Sequence, residues 1–148
     1  MNTVNKMVAA ISAFLMFTLM SCHSGPQPIK LGADACSFCK MSIADKHFGG
    51  EIITNKGKVY KFDDTHCIIG FMKANTINNN DIQETWLVNF DEPHNFIDAK
   101  KAFLLKSSDL HSPMGGNVAS FIDEGKLKEA MIKIKGETVT WDALVNEK

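Results

Sequence analysis

Three sulfur side chains fall within a short stretch, at Cys36, Cys39 and Met41. A further thioether, Met114, sits in Ser112-Pro113-Met114-Gly115-Gly116, where proline and glycine favour a loop over a core strand. Thiolates and thioethers are soft ligands that select Cu(I), and thiolates also suit zinc. One thiolate with one or two thioethers makes a low-coordinate Cu(I) site that can release its metal, where a larger thiolate set would hold it tighter. Thioethers bind without losing a proton, whereas a cysteine must ionise. The candidate metal is Cu(I), and its candidate ligands are Cys39, Met41, Met114 and Cys36.

The same cysteines admit other chemistry. A thioredoxin-type Cys-x-x-Cys follows a strand and opens a helix, but here a spacer precedes Cys36. A structural zinc site needs a second ligand pair. The sole offer is His66-Cys67, whose side chains diverge on a helix. A plain Cys36–Cys39 disulfide stays open, as does thiol–disulfide chemistry by that pair on a membrane-anchored protein. Cys67 reads as a small buried hydrophobe, and Met72 and Met131 as core. His47 and His111 are outside candidates for the metal, His94 reads as a turn residue, and Asp63 and Asp64 need only be helix caps. Lys40, Lys46 and His47 would lower the Cys39 pKa if the fold brought them close.

The elements that must position these residues follow from pattern. Glu51–Thr54 and Lys58–Phe62 read as strands joined by the Asn55-Lys56-Gly57 turn. Asp63-Asp64-Thr65 offers caps for a helix to about Lys73, with Ile68, Phe71 and Met72 at helical spacing. Strands are expected over Thr85–Phe90, Ala102–Leu105 and Val118–Phe121, with a turn at Asp91–His94. Asp123 caps a second helix whose apolar stripe is Leu127, Ala130, Met131 and Ile134. One more strand and a short helical tail fit Glu137–Lys148. The order predicts an α+β fold: one compact domain of two similar ββαβ-like half-units, with helices packed on mainly antiparallel strands.

Lys6 followed by an apolar run from Met7 to Met20 has signal-peptide length and is short for a bilayer span. It ends in Leu19-Met20-Ser21-Cys22, which looks like a bacterial lipobox. Residues 1–21 are therefore expected to be a lipoprotein signal peptide, with Cys22 lipidated. Acyl chains contribute about 0.8 kcal/mol per buried CH₂, enough to hold the chain on a membrane. Residues 22–31, with Ser24, Gly25, Pro26 and Pro28, read as a flexible spacer, and 32–148 as the copper-binding domain. That places the protein in the cell envelope, facing the periplasm. The net charge is −1 with no arginine, which argues against nucleic-acid binding. Three thiols remain beyond Cys22 in an oxidising compartment, so a disulfide leaves one thiol unpaired or a metal occupies the thiolates. No nucleophile–base pair, acid–base carboxylate pair or phosphate loop is visible, so an enzyme is not expected.

Cys39-x-Met41, Tyr60-x-Phe62-Asp63-Asp64 leading into a helix with Cys67, and Ser112-Pro113-Met114-Gly115 resemble the NosL family of nitrous oxide reductase accessory lipoproteins. The lipobox, spacer and length agree, so the resemblance spans essentially the whole chain. It implies a Cu(I) chaperone for the copper-sulfide centre of nitrous oxide reductase. It also implies partnership with that apoprotein and with an ABC-type membrane accessory complex. Cys39, Met41 and Met114 match the family's proposed copper positions, and Cys36 is an additional thiol.

Overall fold

The computed structural model describes residues 25–147, so the expected signal peptide and Cys22 lie outside the described residues. Its elements are β1 (Gly50–Thr54), β2 (Val59–Phe62), α1 (Thr65–Lys73), β3 (Ile82–Val88) and β4 (Phe96–Asp98). They continue with β5 (Phe103–Lys106), β6 (Val118–Phe121), α2 (Glu124–Lys133), β7 (Glu137–Val139) and α3 (Trp141–Asn146). The strands form two antiparallel sheets, ordered β2-β1-β3-β4 and β6-β5-β7.

Each sheet starts from the same ββαβ unit. The first strand of the unit is central, the second forms a hairpin on one side, and the strand after the helix adds on the other. The two expected half-units are therefore real, and they share topology. Phe62 ends the second strand of one and Phe121 that of the other; both rings are fully buried. Asp64 then caps α1 and Asp123 caps α2, each carboxylate accepting from a backbone N–H of the first turn. A parallel bridge between Asn89 and Ser120, with Phe90 N–H donating to Ser120 O at 2.8 Å, stitches the sheets together.

The helices differ in what they bury. α1 packs Cys67, Ile68 and Phe71 into a core shared with Ile52, Phe62 and Leu87. Each such apolar side chain contributes about 1.5–3 kcal/mol. α2 buries only Leu127, and Met131, expected in the core, is 37% exposed. Ile134, expected on the helix stripe, is already the C-cap in extended conformation. The third strand runs Ile82–Val88, earlier than the expected Thr85–Phe90. β4 was absent from the sequence reading; Phe96 and Asp98 pair with Val88 and Trp86 across the expected turn.

The expected spacer is docked from Gln27 onward. Gln27 N–H donates to Glu51 Oε2 at 2.8 Å, and Lys61 Nζ donates to Pro28 O at 2.8 Å and pairs with Asp34 at 2.7 Å. Glu51 is wholly buried beneath this strap, and burial pushes its carboxyl above the usual range.

Candidate metal centre

Residues 35–42 form a tight loop just before β1. Ala35 and Ser42 pair as a bridge, Cys36 N–H donates to Met41 O at 2.8 Å, and Lys40 N–H to Cys36 O at 3.0 Å. Lys40 adopts a left-handed conformation to close it, φ 68°. The loop is zipped to edge strand β2, with Ser37 N–H on Lys61 O at 2.7 Å and Lys61 N–H on Ser37 Oγ at 3.2 Å. It is also seated on α1: the Phe38 ring lies over Gly70, where a Cβ would meet it at 2.6 Å. Gly70 lies three residues after Cys67, so both share one helix face.

These contacts gather four ligand atoms. Sγ of Cys36, Cys39 and Cys67 and a carboxylate oxygen of Asp63 all lie within 4.8 Å of one another. Among the described residues no other group of three or more such ligands is assembled. Cys36, Cys67 and Asp63 are buried, and Cys39 is partly exposed. The Cys39 thiol donates to both Asp63 oxygens, at 3.6 and 3.7 Å. All three thiols are free. Burial pushes the Cys36 and Cys67 thiols up, and hydrogen bonding to Asp63 raises Cys67 further. A redox-active thiol needs a depressed pKa and access, and Cys36 has the reverse. The set suits a cation that replaces thiol protons, because several buried negative charges need a counter-charge.

The second half-unit reaches this centre through one carboxylate. Asp64 is 1% exposed. Its Oδ1 accepts from His66 N–H at 2.8 Å, capping α1. Its Oδ2 accepts from the Ser112 hydroxyl at 2.6 Å, Met114 N–H at 2.8 Å and Gly116 N–H at 3.4 Å. Gly116 is required by this approach, since a Cβ there would stand 2.2 Å from Asp64 Oδ1. The loop between β5 and β6 is thereby pinned onto the N-terminus of α1. Met114 is half-buried against the large core cluster that also includes Cys36 and Cys67.

Of the sequence-predicted ligands, Cys36 and Cys39 enter the cluster and Met114 flanks its core. Met41 stands on the surface, 59% exposed. Asp63 and Cys67, read from the sequence as a cap and a small buried hydrophobe, complete the cluster. Asp63 is no cap, because Asp64 holds that role. Cys67 is buried as expected, yet its sulfur faces the other two. The available signal was an acid and a thiol four residues apart across a helix start. His111 is exposed, and His47 is bonded to Asp45 at 2.8 Å. Lys40 donates to Ser37 O and Lys46 to Glu92, so neither is bonded to Cys39.

A family model described as NosL matches residues 28–148. A search of curated proteins found no match. Among solved structures, the fold is similar to a crystal structure described as the copper chaperone NosL from Shewanella denitrificans. That similarity has a TM-score of 0.70 at 21% identity, covering 84% of this chain and 98% of the other.

Proposed function

This chain belongs to the NosL family, and from that premise we propose that it is a Cu(I)-binding lipoprotein that carries copper for assembly of the copper-sulfide centre of nitrous oxide reductase. The observation that supports this reading is the gathered sulfur cluster of Cys36, Cys39 and Cys67. Soft thiolates favour Cu(I) over harder cations. Cys39 is the exchange ligand, because it is the one thiol of the three that is not fully buried. Cys36 and Cys67 hold the metal from behind, where their burial excludes water. The Met41 and Met114 thioethers supply neutral ligands at the approach, so copper arrives or leaves without a further proton step. Asp63 accepts from the Cys39 thiol and so holds that side chain at the cluster.

The protein acts as a carrier, not an enzyme. Lipid on Cys22 anchors it in the cell envelope, facing the periplasm. Its partners are the nitrous oxide reductase apoprotein and an ABC-type membrane accessory complex. Anaerobic titration of the reduced protein with Cu(I) against a competing chelator tests the central claim. One Cu(I) is retained, and Cys39→Ser weakens retention by about a hundredfold, near 2.7 kcal/mol. Equal retention by the variant would overturn the assignment of Cys39.

A further inference from the structure

We propose that the sulfur cluster also takes a divalent tetrahedral cation, Zn²⁺ by its chemistry, with Asp63 as the fourth ligand that sets zinc apart from copper. The proposal rests on reading the cluster as a metal centre and concerns which metals that centre accepts. A four-coordinate zinc site is commonly built from two pairs of ligands, one pair about two to four residues apart and the other about three to five. The loop before β1 supplies the first pair as Cys36-x-x-Cys39. The second pair is not His66 and Cys67 but Asp63-x-x-x-Cys67, which straddles the start of α1. Sγ of the three cysteines and an Asp63 oxygen all lie within 4.8 Å of one another, so the two pairs meet at one place.

Asp63 carries the strongest sign. It is 2% exposed. Among the described residues no lysine or histidine forms an ion pair with it, and the chain has no arginine. Its two oxygens accept from the Cys39 thiol at 3.6 and 3.7 Å. Asp64, next in the chain, is as deeply buried but directs its oxygens to a hydroxyl and to backbone N–H groups. A buried carboxylate with no cation beside it costs free energy. One divalent ion held between Asp63 and the three sulfurs offsets that cost.

The dimensions fit one ion. With Zn–S about 2.3 Å and Zn–O about 2.0–2.2 Å, a tetrahedron has edges of about 3.8 Å between sulfurs and about 3.6 Å between sulfur and oxygen. The Cys39–Asp63 edge already has that length, at 3.6 Å. From the 4.8 Å limit, no other edge has to shorten by more than about 1 Å. The choice of metal follows from the donors. Zn²⁺ accepts thiolate and carboxylate together, whereas Cu(I) favours soft sulfur over a hard oxygen. Removing the carboxylate therefore takes a ligand from zinc and none from Cu(I). The competing account is that Asp63 only positions the Cys39 side chain, and it predicts the same effect on both metals.

The test uses the reduced, metal-free full chain, with Co²⁺ as the spectroscopic probe of the zinc site. One equivalent of Co²⁺ should give the intense visible bands of a tetrahedral ion together with a thiolate charge-transfer band, and one equivalent of Zn²⁺ should abolish both. Asp63→Asn keeps an oxygen for the Cys39 side chain but loses the charge. It should weaken Zn²⁺ retention against a chromophoric chelator by about tenfold or more and leave Cu(I) retention within about twofold. The weak bands of six-coordinate cobalt would overturn the proposal, and so would equal losses for the two metals in Asp63→Asn. The cobalt spectrum of the parent chain decides the matter even where the variant does not fold. Tetrahedral cobalt with no retention of Cu(I) would remove the copper reading and keep the zinc site; retained Cu(I) with six-coordinate cobalt would do the reverse.

Discussion

The two ββαβ units share a topology and diverge in use. At the start of α1 the chain reads Asp63-Asp64-Thr65-His66-Cys67; at the start of α2 the same positions hold Ile122-Asp123-Glu124-Gly125-Lys126. Only the cap is common. Where the first unit buries an acid and a thiol, the second exposes Ile122 and Lys126. The hairpins diverge in the opposite sense. The first closes with the short turn at Gly57, φ 76°, while the second spends residues 107–117 on a loop that crosses to the first unit. The first unit and the loop before it supply the clustered ligands, and the second unit supplies the arm pinned to Asp64. A shared topology therefore says little about where a site lies; the buried polar residues at the cap say more.

The largest effect expected concerns protons. Thiols in this domain occur only in and before the first unit, and burial holds Cys36 and Cys67 protonated above the usual range. Copper must displace those protons, so apparent Cu(I) affinity rises with pH, about tenfold per unit for each thiol proton lost. Chelator competition between pH 6 and 8 measures this, and a flat profile would mean that the buried thiols do not ligate.

Next in size is the contrast between the two caps. Asp64→Ala loses a helix cap and leaves the Ser112, Met114 and Gly116 donors unpaired, a cost of about 3–5 kcal/mol. Asp123 serves only the first turn of α2, so Asp123→Ala costs about 1 kcal/mol. Urea unfolding of both variants tests the difference; equal losses would show that the arm adds nothing through Asp64. The smallest effect belongs to the outer face of α2. Ile132 is 84% exposed and occupies the position of Lys73 in α1. Ile132→Lys should change stability by no more than about 0.5 kcal/mol in the same assay. A larger loss would mean that this face is covered.

Much of this was legible in the sequence. The first hairpin, α1 to Lys73, the β5–β6 pair and the repeated unit all followed from alternation, turn residues and caps. Cys36 and Cys39 announced themselves by spacing. Cys67 and Asp63 did not, because their partners lie on a loop more than twenty residues upstream, and that contact is tertiary. Helical periodicity marked Met131 as apolar-faced, but periodicity names a face without saying what packs on it. β4 is too short to show alternation and follows a turn, so nothing local signalled it. His94 read as a turn residue and does lie in the turn before β4; its packing against the His47 ring is tertiary and had no local signal.

The strap across Glu51 bears on reach. With the lipid on Cys22, as proposed, five residues of chain separate the anchor from Gln27, whose N–H is bonded to Glu51. Fully extended, that span covers about 17 Å at most. The domain would then ride close against the bilayer on a short leash, with little freedom to search the surrounding space. On that proposal, any recipient of its cargo would have to come to the membrane face, and the standoff distance would become a selection rule for who can receive.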